Sequence, residues 1–110
     1  MRRHEFTIDR DGALVRMVTP RRGRPHEHRC SLASFEAVAH SIDESGDAGF
    51  NIEELATREN LPLTQAATEV AFLKERGCVV AVGRRSYPGS SGVHLDAMTE
   101  YHTLREMLPG

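Results

Sequence analysis

The sequence has no tryptophan and only four phenylalanines and two tyrosines, so its core must come mostly from aliphatic side chains and alanine. Its two cysteines, Cys30 and Cys78, are too few for a disulfide framework; the reading is two reduced, buried small side chains in a cytoplasmic protein. No run of about 18 apolar residues occurs, and the Met-Arg-Arg-His start is not followed by the apolar stretch of an export signal, so no membrane contact is expected. Enzymatic signatures are missing too: no phosphate-binding glycine loop, dinucleotide fingerprint, paired-histidine metalloprotease helix or nucleophile elbow. What remains is a chain of 110 residues with 39% hydrophobic content, enough for one modest core, with no catalysis expected.

Charge is unevenly spread. Residues 1–30 carry eight arginines against four acids, residues 31–77 three bases against nine acids, and residues 78–110 three of each, giving +4, −6 and 0. Any nucleic-acid contact is therefore to be sought first in the basic arm, not the acidic middle.

"EFTIDRDGALVRMV" predicts a hairpin: Phe6 and Ile8 alternate with polar neighbours, Asp9-Arg10-Asp11-Gly12 supplies the turn, and Val15 and Met17 alternate on the return. "TPRRGRPHEHR" reads as an exposed linker or irregular strand. A first helix follows, with Leu32, Phe35, Val38, Ala39 and Ile42 at helical spacing and Ser31 or Ser34 as its cap. Gly46 and Gly49 end it, and residues 49–51 suit a short strand. Asn51 and Glu54 form a capping box for a second helix whose inner face is Ile52, Leu55 and Ala56. Pro62 stops it near Asn60. A third helix spans about residues 64–76, capped by Thr64, with Ala66, Val70 and Leu73 inward and Gly77 closing it. Residues 78–82 form an apolar strand, Pro88-Gly89 a turn, "VHL" a returning strand, and Asp96 caps a last helix.

The stretch "NIEELATRENLPLTQAATEVAFLKERGCVVAV" carries a resemblance to the winged helix-turn-helix superfamily. It has Leu55-Ala56 in helix two, Leu61-Pro62 in the turn, Ala66, Val70 and Leu73 in helix three, then Gly77 and a valine-rich strand. The match covers about residues 31–104, roughly two thirds of the chain. It implies an α+β fold: a three-helix core and β-hairpin wing over residues 31–110, ending in a C-terminal helix, with a β-hairpin and basic linker added over residues 1–30. It further implies double-stranded DNA as partner and transcriptional regulation, or an accessory role, as function, with helix three in the major groove and the wing on the backbone. Carried onto this chain, Thr64, Gln65 and Thr68 become groove contacts, with Glu69 on the same solvent side repelling phosphate. Counterion-releasing contacts fall to Arg84 and Arg85 in the wing and to Arg21, Arg22 and Arg24 in the linker, with Arg29, Arg2 and Arg3 nearby in sequence. The alternative is a winged domain used for protein contact without DNA, through the acidic face of helices one and two together with Phe72 or the last helix.

Other patterns have quieter readings. His26, His28 and Cys30 alternate, so an extended backbone would aim all three one way, as metal ligands require. Without a second ligand cluster, though His40 or His94 could come close in space, no metal or other cofactor is expected. Glu36 and His40, at i,i+4, read as a solvated pair. Phe72, off the Ala66–Val70–Leu73 stripe, is expected to touch the wing or the N-terminal hairpin. Ala97, Tyr101, Leu104 and Leu108 form a seam that packs on the domain or pairs with a second copy as a homodimer.

Overall fold

The computed structural model describes residues 3–107, with side chains from residue 5 onward. The architecture is α+β: two small antiparallel sheets and four α-helices. β1 (Arg3–Ile8), β2 (Leu14–Thr19) and β3 (His26–Cys30) form the first sheet, in the order β1-β2-β3. Helices α1 (Leu32–Ser45), α2 (Ile52–Arg58) and α3 (Leu63–Glu75) follow, then the hairpin β4 (Val79–Val82) and β5 (Arg85–Pro88), and finally α4 (Val93–Glu106).

The first hairpin forms where expected but in a different register. Asp9 Oδ1 accepts from the amides of Asp11 and Ala13, both at 2.9 Å, and the Asp9 amide donates to the Ala13 carbonyl. These bonds close a five-residue loop, 9–13, in place of a four-residue turn. Ile8 therefore faces Leu14, and Leu14 in turn faces Cys30. One residue of slip turns every side chain over: Ile8, Leu14 and Cys30 enter the core, while Val15 and Met17 go to the opposite face.

The expected linker is half strand. Residues 20–25 are a loop, but His26–Cys30 pairs with β2 along its whole length. Backbone pairing needs no apolar side chains, and Cys30, fully buried, pins the strand at its inner end. Arg29, on the outer face, bonds Asp9 at 3.2 Å and Glu27 at 2.9 Å.

The α1 stripe is as read, with Phe35, Val38, Ala39 and Ile42 fully buried and Ser31 the cap, its hydroxyl accepting from the Ser34 amide. The Asn51–Glu54 capping box is present in both directions. Between these helices Gly49 takes φ +70°, where a Cβ would lie 2.6 Å from the Tyr87 ring; Phe50 then bridges Ser86 beside β5.

Three boundaries differ. Helix α3 begins after Pro62 without a side-chain cap, so Thr64 lies inside its first turn. The second hairpin is tight, turning at Gly83 (φ +62°) and Arg84, so β5 ends at Pro88 and "VHL" belongs to α4. Gly89 is no turn centre; its amide donates to the Cys78 carbonyl. Helix α4 starts at Val93 after Gly92, which has no side chain to cap it, and Asp96 lies inside the first turn, accepting from the Ser90 hydroxyl at 2.6 Å. Asp43 of α1 takes the place of a cap, accepting from the amides of Val93 and His94 at 2.7 and 2.9 Å. Its two carboxylate oxygens thereby satisfy donors that a helix start leaves open.

A single cluster joins the layers. Ile8, Leu14 and Cys30 from the sheet meet Phe35, Val38 and Ile42 of α1, Leu55 of α2, Val70, Phe72 and Leu73 of α3, and Tyr101 of α4. Tyr101 donates its hydroxyl to the Gly12 carbonyl at 2.7 Å, tying the β1–β2 turn to the last helix. The seam Ala97, Tyr101 and Leu104 is buried inside the chain, α4 packing on α1, the first of its two expected arrangements; Leu108 lies outside the described residues. Among the described residues no helix is long and apolar enough to cross a membrane.

Candidate functional site: a covered helix, two basic loops and an open strand edge

The flank of α3 expected to face solvent is covered by the first sheet. Thr68 is 1% exposed and Glu69 0%. Thr68 donates its hydroxyl to the Thr64 carbonyl at 2.8 Å. Gln65, half-buried, accepts the Ser31 amide at 3.2 Å through its side-chain oxygen. Phe72 is fully buried, edge-on to Phe6 at 5.3 Å, with the Arg76 guanidinium 5.1 Å from its ring centre. The expectation that Phe72 packs under the N-terminal hairpin holds; the solvent placement of Thr68 and Glu69 does not, because the third strand widens that hairpin into a sheet broad enough to cover the helix.

Glu69 is the unusual group. Its Oε1 has the Cys30 thiol 3.9 Å away, and its Oε2 has no hydrogen-bond partner. Burial pushes its carboxyl well above the ordinary carboxylate range, the thiol offsetting this slightly. Burial also raises both thiols, that of Cys78 to about 11. Such cysteines are weak nucleophiles while buried.

The uncovered side of α3 shows Leu63, Thr64, Lys74 and Glu75, with Ala67 and Ala71 half-buried. Two shallow grooves run between this side and the sheet. One, of about 170 Å³, is lined by Arg16, His28, Leu63, Thr64, Ala67 and Thr68. The other, of about 370 Å³, is lined by Phe6, Arg16, Ala71, Lys74 and Glu75.

The arginines divide into tied and untied groups. Arg85 is tied: it bonds Glu54 at 2.9 Å, the Gly49 carbonyl at 3.0 Å and the Ala48 carbonyl at 3.2 Å. That guanidinium is the first reason the Glu54 carboxyl sits below its usual range. Arg84 beside it is exposed at the hairpin tip, and Arg21, Arg22 and Arg24 are exposed in the β2–β3 loop. Among the described residues none of these four enters an ion pair. The two basic loops belong to different sheets: β2 and β3 pack on α3, while β5 packs on α1 and residues 46–48 and β4 also on α3. Arg2 and the side chain of Arg3 lie outside the described residues.

Histidines gather in two places. His26 and His28 share the β3 face with Cys30, rings 5.1 Å apart, but Cys30 points inward to Glu69, and no group of three ligands among the described residues could hold a metal ion. His40 stacks on His94 at 3.8 Å, and Glu36 lies 3.8 Å from His94 Nε2, so its interaction reaches across to α4.

One feature carried no flag in the sequence. Among the described residues strand β4 pairs only with β5, and Val80 and Val82 on its outer face are 48% and 64% exposed. A valine-rich run reads as core, and only the pairing reveals an apolar edge left open. Comparison of the chain with family models, curated protein sequences and solved structures finds no match.

Proposed function

We propose that the chain is a non-catalytic interaction module of winged-helix type, working in the cytoplasm, that binds another protein by taking one of its strands onto β4. The observation that carries this reading is the open side of β4, with Val80 and Val82 exposed along it. An unpaired strand presents a row of backbone donors and acceptors, and chains that stay alone usually protect such an edge with lysine, proline or a bulge. The run Val79–Val82 is short, at four residues, but carries none of these. An extended segment with apolar residues at alternate positions would satisfy the backbone row and cover both valines. Groove reading by α3 fits less well, because Thr68 and Glu69 are sealed beneath the sheet and the surrounding segment is acidic.

Selection of displayed random peptides on the immobilised protein tests the reading. Sequences with apolar residues at every second position are expected, with affinity falling at least about tenfold on Val80→Lys/Val82→Lys, the cost of about 1.4 kcal/mol. Absence of enrichment, or equal binding to the double variant, would overturn it.

A second reading, a DNA-binding regulator, is favoured by one observation: Arg84, Arg21, Arg22 and Arg24 are exposed and outside any ion pair among the described residues. These would contact phosphates, with Thr64 and Gln65 at the start of α3 nearest the groove. Binding to mixed duplex DNA at about 50 mM salt that weakens steeply by about 200 mM, and falls on replacing those arginines with alanine, would support it.

A further inference from the structure

We propose that a proton on Glu69 latches the N-terminal sheet onto α3, and that its loss favours a form in which β3 lifts away from the helix. The inference goes beyond the function above and holds whichever partner the domain takes.

The geometry starts from a carboxyl with almost nothing to bind. Glu69 is 0% exposed, one oxygen is unpartnered, and the other has only a thiol at 3.9 Å. A buried neutral carboxyl is tolerable, whereas a carboxylate in the same place needs a cation or several donors. Among the described residues neither is supplied. On β3 the titratable groups of the inner face are Cys30, in contact, His28, which lies over Leu63, Thr64 and Ala67, and His26, exposed at the far end of the strand. Arg29 is on the outer face, held by Asp9 and Glu27. Arg16, on the same face of β2 as Leu14, lines both grooves at the edge of α3, one of them beside Thr68, and Glu69 Oε2 stays unpartnered. On α3 itself Arg76 lies over Phe72 and pairs with Glu100. What α1 and α4 bring to this core are Phe35 and Tyr101, the latter's hydroxyl given to Gly12. An ionised Glu69 therefore gains most by reaching water, and the sheet is the element between it and solvent.

The direction of the pH response follows from the raised carboxyl. A group that holds its proton more tightly when closed contributes full stability below the ordinary carboxylate range, and loses it as pH climbs towards the raised value. Opening would release the Phe6–Phe72 contact and the Ser31–Gln65 bond, and bare the flank of α3 that holds Gln65, Thr68 and Glu69.

Cys30 provides the readout, since it is fully buried at the latch itself. In a Cys78→Ser, His28→Gln background, iodoacetamide alkylation of Cys30 is followed from pH 6 to 9 with Glu69 and with Glu69→Gln. Alkylation needs the lifted form, where Cys30 is in water away from residue 69 and thiolate formation raises both rates alike, so their ratio isolates the latch. The Glu69 protein is expected to gain at least about tenfold over the variant across this range; a ratio constant within about twofold overturns the proposal. Should Glu69→Gln fail to fold, Glu69→Met serves in its place. Hydrogen exchange on the unmodified protein gives an independent check: β3 amides should lose protection with rising pH while residues 38–42 of α1 keep theirs. Parallel loss in both would mean general unfolding and also overturn the latch.

Discussion

The two sheets solve the same problem in opposite ways. The β1–β3 sheet closes its inner face over α3 and spends its side chains on the shared core. The β4–β5 hairpin also anchors one face, through Val79 and Ser86 beside Phe50, but leaves Val80 and Val82 and a whole backbone edge open. On the proposed function, contact with another chain falls to the uncovered strand and not to the covered helix. The order of elements suggests a helix surface, and the burial points to the strand edge.

That contrast can be broken with mutations. Phe72→Ala removes the ring on which Phe6 and Phe35 converge; it should cost about 3–5 kcal/mol in urea unfolding, as for other buried phenylalanines. A loss near zero would mean that the sheet barely rests on α3. Gly49→Ala forces a side chain into a positive φ with its Cβ 2.6 Å from the Tyr87 ring and 2.7 Å from the Ser86 carbonyl. Strain and overpacking together predict about 2–4 kcal/mol, and exchange of the β5 amides should quicken as Phe50 loses its seat. Val80→Lys/Val82→Lys should change stability by less than about 0.5 kcal/mol per site, as expected for exposed positions. A larger fall in Tm would show that the valines support the fold instead of facing a partner.

Much of the helical layer was legible because its signals are local. Helix α1 follows from the spacing of Phe35, Val38, Ala39 and Ile42, and α2 from the reciprocal bonds of Asn51 and Glu54. What escaped depends on how turns close and which backbones pair, and side-chain spacing does not report either. The first hairpin's register turns on whether Ala13 bonds Asp9. β3 is a polar run, "HEHRC", made a strand by its neighbour's backbone. The second hairpin was drawn too long because Gly83-Arg84 suffices to turn it, which frees Val93 for a helix whose cap lies fifty residues upstream. The burial of Glu69 did have a signal. On a helical wheel it falls between Phe72 and Leu73, so whatever covers Phe72 must cover Glu69 too. The candidate contacts were half legible: Arg84, Arg21, Arg22 and Arg24 are exposed as their loops suggest, while Arg85 is committed to Glu54 and Thr68 to its own helix.

Asp43 gives α4 a beginning that its own sequence does not encode. The last helix is therefore a dependent part: cut away from α1, a peptide of residues 92–107 should show little helicity by circular dichroism. Grafting this segment onto another scaffold would need a carboxylate in the place of Asp43, so α4 and α1 form one folding unit.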